Sequence, residues 1–362
     1  MAQIKSIFGS YADKLQFFVD TNLDKFAAPW FPKYFGWAPA QQSLTFVTAI
    51  GRSRIEAAAS VIARGSLAPL RGRMPLEKYS GEIPPISQKF KMDERDVREF
   101  WTLQNAAVSD EAKKNQLLQY MFGDVKKCGD AAMHRLDAMI LEGLSTGQIT
   151  LTTTNNPDGV VAPTAVDLFM PSGNKQNAAV DWGTSATATP FTDIVNMVNT
   201  AYGNGVSFAK ILMSRTLFLK FIKTTEVKNM LSNFLGFKTA GNVIPTLDNA
   251  NLLLEASQLP TIEIVDVPIG IEKNGVITSI RPFSDTNAVF IPSGSLGEIK
   301  NSIAVEQQIP VDKVAYANYN QALISKWSDN EPFQELTKVE LNAFPSIDGI
   351  GSIYLLSSTL AY

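Results

Sequence analysis

The sequence predicts an α+β chain with a very long helix near its middle, an extended segment before it and an α/β body after it. Three observations carry this. Apolar residues recur every three or four positions from Leu118 to Ile140, the mark of one buried helical face. Strand candidates flank a stretch full of glycine and proline at 65–75, which reads as a long hairpin-like loop. Beyond Pro190, helical and extended patterns alternate. The 362 residues suffice for two domains, and 45% hydrophobic residues supply a sizeable core. Only 19% are charged, which suggests that folded surface is buried against partners.

Taken in order, the first 45 residues are rich in aromatics. A helix is expected from Ser10 to about Lys25. The stretch Ala28–Trp37 is then broken by Pro29, Pro32 and Gly36. Such a segment cannot cover its own rings and is expected to lie on something else, its own body or a neighbour. Leu44–Ile50 and Ile55–Arg64 read as strands, and Tyr79–Met92 as the return. Between Leu44 and Met92 stand eight basic residues against three acidic ones, a local charge of +5 in a chain of net charge -3. That is either a solvated loop or a protrusion seeking an acidic surface.

The acids of Met92–Asp96 mark a helix start. Ser109 opens the long helix, whose stripe is Leu118, Met121, Val125, Cys128, Ala132, Leu136, Met139 and Ile140. Reaching about Leu144, it spans roughly 50 Å at 1.5 Å per residue. Gly123 and Gly129 inside it are expected at a bend or a close approach. Gly147 ends it. Ile149–Thr153 and the residues from Val160 are expected as strands around a turn at 155–159, and 171–189 as a loop. In the α/β body, helices are expected at 192–202, 215–222, 226–231 and 247–257. Strands are expected at 210–213, 261–265, 269–272, 277–281 and 288–291, with a turn at Asn274-Gly275. The final strand candidates are 335–342 and 350–357.

Chemistry is sparse. One cysteine, Cys128, allows no intrachain disulfide, and one histidine, His134, allows no multi-histidine metal site. Cys128 lies on the apolar stripe and reads as a small buried hydrophobe; His134 lies off it and reads as a surface or interface residue. No phosphate loop, zinc motif or calcium loop is present. No apolar run is long enough for a membrane helix, and the N-terminus lacks an export signal, so a soluble chain is expected. No cofactor, metal or catalytic role is expected.

This order of parts resembles the major capsid proteins of tailed phages, the lambda-type capsid protein E family. Leu44–Ile50 with Ala57–Gly65 resembles its E-loop ascent, and Tyr79–Ile86 running into Met92–Asp96 its descent. Pro190–Met213 resembles the start of its A-domain, Ala288–Gly294 its strand and turn, and Trp327–Phe333 with Asn342–Ser346 its closing segment. The resemblance runs over nearly the whole chain. It implies an HK97-like major capsid fold with an N-terminal arm at 1–43, an E-loop at 44–92, a P-domain with the spine helix at 93–189, an A-domain at 190–326 and a return to the P-domain at 327–362. It implies a subunit that self-assembles, as hexamers and pentamers, into an icosahedral shell around double-stranded DNA held without sequence-specific binding. Partners would be a separate scaffolding protein, a portal and a decoration protein, with no membrane; the shell would form in the host cytoplasm. Contacts between subunits are expected from Arg64, Leu67, Leu70, Arg71, Arg73 and Lys78 in the E-loop, and from Phe26, Trp30, Phe31, Tyr34, Phe35 and Trp37 in the arm. Two alternatives stand beside it: an encapsulin-like cargo shell, which shares the architecture, and a cytoplasmic α/β hydrolase, which the lone histidine disfavours.

Overall fold

The computed structural model describes residues 3–4, 15–50, 77–105, 110–160, 164–236 and 245–362. The N-terminal part holds β1 (Gln3–Ile4), α1 (Leu15–Thr21), β2 (Phe35–Trp37), β3 (Thr45–Ile50), β4 (Glu77–Glu82) and β5 (Pro85–Asp93). Helices α2 (Glu94–Asn105) and α3 (Asp110–Thr146) follow, then the short strands β6 (Gln148–Ile149), β7 (Val166–Asp167) and β8 (Lys175–Asn177). Next come α4 (Pro190–Gly203), β9 (Lys210–Met213), α5 (Arg215–Lys223), α6 (Thr225–Phe234), α7 (Leu247–Ala256), β10 (Thr261–Ile264), β11 (Ile269–Lys273) and β12 (Val276–Ile280). The last stretch is β13 (Asn287–Ile291), β14 (Gly297–Ser302), α8 (Val305–Gln308), β15 (Ala315–Tyr319), β16 (Ala322–Asn330), β17 (Phe333–Ser346) and β18 (Tyr354–Ser357).

Local chemistry explains the helical boundaries. Asp93 Oδ1 accepts from the backbone N–H groups of Arg95 and Asp96, at 3.0 and 3.2 Å, while Asp96 Oδ2 accepts from Asp93 N–H at 2.9 Å. This reciprocal cap satisfies donors at the start of α2 that no helical carbonyl reaches. Helix α3 runs 37 residues, about 55 Å at 1.5 Å per residue. Val125, Cys128, Ala132, Leu136, Met139 and Ile140 are all buried along it. The side chains of Leu118 and Met121 lie outside the described residues. At its end Gly147 takes φ 76° and donates to Gly143 carbonyl, a backbone turn that favours glycine.

Two sheets divide the rest. In the larger, β17 is the central strand and pairs with β16, β5 and β14, the last two meeting opposite sides of Asn342. Helix α3 packs across this sheet. The smaller sheet has the order β10-β9-β13-β18-β8. Its strands serve two cores at once. Leu212, Val289, Ile291 and Leu355 point into the core shared with α3, whereas Ile211, Met213, Phe290 and Leu356 point into a second core under α4–α7. Alternation along each strand places successive side chains on opposite faces, so the two regions share a sheet rather than a linker.

Several sequence expectations are corrected. Residues 297–326, expected with the α/β body, instead supply β14, β15 and much of β16 to the larger sheet. The chain crosses back after β13, because β13 already fills its place between β9 and β18. The 171–189 segment is not all loop: β8 pairs with β18, and Trp182 is buried with its indole N–H on Asp193 at 2.9 Å. Around the 155–159 turn, β6 and β7 are two residues each. The expected helix at 10–25 is α1 plus a 3-10 turn at Leu23–Lys25, with 5–14 outside the described residues. The strand expected at 55–64 and the breaker-rich tip at 65–75 also lie outside them.

Candidate interaction surfaces

The arm is held by carboxylates of the long helix. Asp137 accepts from the backbone N–H groups of Trp30 and Phe31, with the closest contacts at 2.9 Å, and Asp130 accepts from Ala27 N–H at 2.8 Å. The two acids are seven residues apart, two turns on one face of α3. Burial pushes the Asp137 carboxyl above its ordinary value, against the two N–H donors that favour its charged form. The native chain therefore holds this proton more tightly than the unfolded chain. The stability linked to it is greatest at acid pH and falls as pH rises through the raised value.

These bonds seat the aromatics. Phe26, Trp30, Phe31 and Phe35 are buried in the subunit's own core, and Tyr34 and Trp37 are partly buried against it. Phe26 stacks on Tyr319 at 4.1 Å, directly over Gly129, where a Cβ would lie 2.7 Å from the Phe26 ring. Gly129 is thus a close approach by a side chain of the arm, whereas among the described residues nothing lies within 4 Å of a Cβ at Gly123. Strand β2 extends the larger sheet in parallel with β14. What these six aromatics cover in this structure is their own subunit.

A cluster of charge ties the arm to the smaller sheet. Glu263 on β10 accepts from Lys210 on β9 at 2.6 Å, from Tyr34 hydroxyl at 2.8 Å and from Lys33 at 3.2 Å. Burial acts to raise the Glu263 carboxyl, but the three donors together hold it below its ordinary value.

The β3–β4 hairpin behaves differently. Among the described residues its two strands pair only with each other, in register from Thr45–Glu82 to Ile50–Glu77. Its base is pinned by Ile83 N–H on Leu44 carbonyl at 2.7 Å and by Phe46, buried and stacked on Phe344 at 5.6 Å. One residue further out, Val47 is 66% exposed. Lys78 sits opposite Ala49 in the ladder. Arg64, Leu67, Leu70, Arg71 and Arg73 lie outside the described residues. A second ribbon, β11–β12, turns at Asn274-Gly275 with φ of 52° and 78°, which fits the predicted hairpin turn. Val276 and Ile277 at its tip are exposed.

Reactive chemistry is thin. Cys128 is buried, and burial pushes its thiol up to about 12, which suits an inert core residue. His134 is half-buried on α3 rather than at the surface, and its Nδ1 faces no polar partner. Lys326 and Glu335 form an ion pair at 3.7 Å inside the larger sheet, with Ser328 hydroxyl also on Glu335 and Lys326 donating to Thr337 at 3.1 Å. Those contacts satisfy both ends internally. Among the described residues no group of three or more His, Cys, Asp or Glu side chains is placed to hold a metal ion, and no helix is long and apolar enough to cross a membrane.

Comparison with known proteins gives a consistent result. A family model described as phage major capsid protein E matches residues 35–354. No curated protein matches the chain. Among solved structures, a protein assigned to the capsid of an Escherichia coli CFT073 prophage superposes with a TM-score of 0.57 at 12% identity, covering 95% of this chain and 98% of that one. A phage-related protein from Bordetella bronchiseptica RB50 gives 0.48 at 10% identity, covering 99% and 98%. The capsid of cyanophage A-1(L) gives 0.49 at 12%, covering 92% and 94%.

Proposed function

The chain belongs to the phage major capsid protein E family, and from that premise we propose that the β3–β4 hairpin and the residues beyond it are the E-loop through which one subunit grips the next. The protein is a shell-forming major capsid protein with the HK97-like fold, a structural component of the virion that assembles with its own kind. The observation that carries the proposal is a hairpin that leaves its own body. Its described strands pair with each other, its base is held at Phe46 and Ile83, and residues 45–82 carry six basic residues against three acidic ones, a local charge of +3. A basic hairpin gains little by folding on its own subunit, because exposed ion pairs contribute only ~0–1 kcal/mol each. Repeated around a ring of copies, such contacts add and steer docking.

On this reading, Arg64, Leu67, Leu70, Arg71, Arg73 and Lys78 meet a neighbour's larger sheet and long helix. The subunits form hexamers and pentamers of an icosahedral shell built in the host cytoplasm. A separate scaffolding protein and a portal take part, and a decoration protein is a further partner. DNA is enclosed rather than read, in keeping with 32 basic and 35 acidic residues. The chain works by contact and not by catalysis. Its parts divide as an arm, the E-loop, a P-domain of α3 with the larger sheet, and an A-domain from Pro190 to about Pro292, followed by return to the P-domain.

The test is paired. Charge reversal of Arg71 and Arg73 together should leave the melting of the subunit unchanged and lower particle yield severalfold. Added salt should narrow the gap between variant and wild type, since screening acts over ~8–10 Å. Normal particle yield at low salt would remove the charge from any role in assembly. Loss of folding would place the loop in the subunit's own core.

A further inference from the structure

Tyr34 stands where three parts of the molecule meet. Its carbonyl accepts from Leu296 N–H at 2.9 Å and from Ser295 hydroxyl at 3.2 Å, in the connection between the two sheets. Its hydroxyl donates to Glu263, which also binds Lys210 of β9 and Lys33 of the arm. The Lys210 ammonium lies 5.9 Å from the centre of the Tyr34 ring. One carboxylate on the smaller sheet therefore gathers two donors from the arm and one from its own sheet.

Beside the β2–β14 ladder, the arm has two side-chain fixings of unlike strength. Against the long helix, Asp137 is buried, and its release would strand a carboxylate and two N–H donors away from water. Against the smaller sheet, the Lys33 and Lys210 side chains are 57% and 45% exposed. Water replaces such contacts at little cost. The fixing at Glu263 is the more exposed of the two.

We propose that Glu263 is a releasable latch that positions the arm on the β9–β10 edge, holding the subunit in one of the shapes that shell building requires. The inference rests on the shell-forming reading. Identical chains that close a large shell sit in unequal surroundings, so each needs a joint that shifts without unfolding. A carboxylate held by three donors, two of them half-exposed lysines, meets that need, and a buried apolar contact does not.

The experiment uses the full chain with Glu263→Gln, and Tyr34→Phe as a second variant that removes one hydroxyl. In the unassembled subunit, hydrogen exchange of residues 26–37 should quicken roughly two- to fivefold, the range expected for loss of a partly exposed ion-pair network. Exchange in β17 should not change. Assembled with wild-type scaffold, both variants should give a broader spread of particle diameters by electron microscopy, and Glu263→Asp should restore the narrow one. Unchanged exchange in the arm overturns the latch. So does faster exchange with wild-type diameters, which reduces the cluster to a local brace. Should the Gln variant fail to fold, the Phe variant decides by the same two readings. If wild-type chains build no particles at all, the shell reading fails instead, and the exchange result stands apart from it.

Discussion

Residues 26–37 and the β3–β4 hairpin look alike as sequence and end in opposite situations. Both are punctuated by breakers or lead into them, and neither carries a full hydrophobic face of its own. The arm is drawn onto its subunit because α3 offers acceptors, Asp130 and Asp137, where the arm's backbone has unpaired donors. Once those bonds form, Phe26, Trp30, Phe31 and Phe35 have a core to fill. The hairpin needs no such help, since each strand satisfies the other, and Phe46 and Ile83 are committed at its base. Where a segment's backbone hydrogen bonds go decides whether it stays at home or reaches outward.

The contrast is sharpened or broken by substitution. The largest effect is expected at Leu136, fully buried on α3 beneath both arm and sheet. Leu136→Ala should cost roughly 2–5 kcal/mol in chemical denaturation, and a wild-type melt would mean the facing of the helix is wrong. Asp137→Ala comes next, at about 1–3 kcal/mol for buried donors left unpaired. Its signature is regional: protease should cut faster near Lys25 and Lys33, while the ladder of β3 and β4 keeps its exchange protection. Equal loosening of both would end the distinction drawn here. A smaller and signed pair lies along α3. Gly129→Ala should destabilise by about 1 kcal/mol, because the new methyl displaces the stacked Phe26 and Tyr319 rings. Gly123→Ala meets open space and should stabilise by up to ~1 kcal/mol through helix propensity. Smallest of all, reversal of Arg71 and Arg73 should shift subunit stability by no more than ~0.5 kcal/mol, leaving its effect to particle yield.

Periodic segments were legible from the residues alone. The apolar stripe from Val125 to Ile140, the acids at Asp93–Asp96, the stop at Gly147 and the turn at Asn274-Gly275 each carry their structure in local chemistry. The same holds for the helices and strands between Pro190 and Ile291. Strands β14 to β16 were not legible. Their burial comes from distant partners, and β16 sets Lys326 inside the sheet, 1% exposed, where a pattern reader expects an apolar residue. That lysine is tolerated because Glu335, on the neighbouring strand β17, pairs with it. Resemblance between short segments pointed to the shell-forming family. The arm's seat on Asp137 and its tie to Glu263 depend on residues 107 and 230 positions apart in the chain, and the smaller sheet that serves two cores likewise joins distant strands. Local sequence sets the propensity and period of an element. Which acceptor its free donors meet, and which core its second face fills, is settled only when the chain closes on itself.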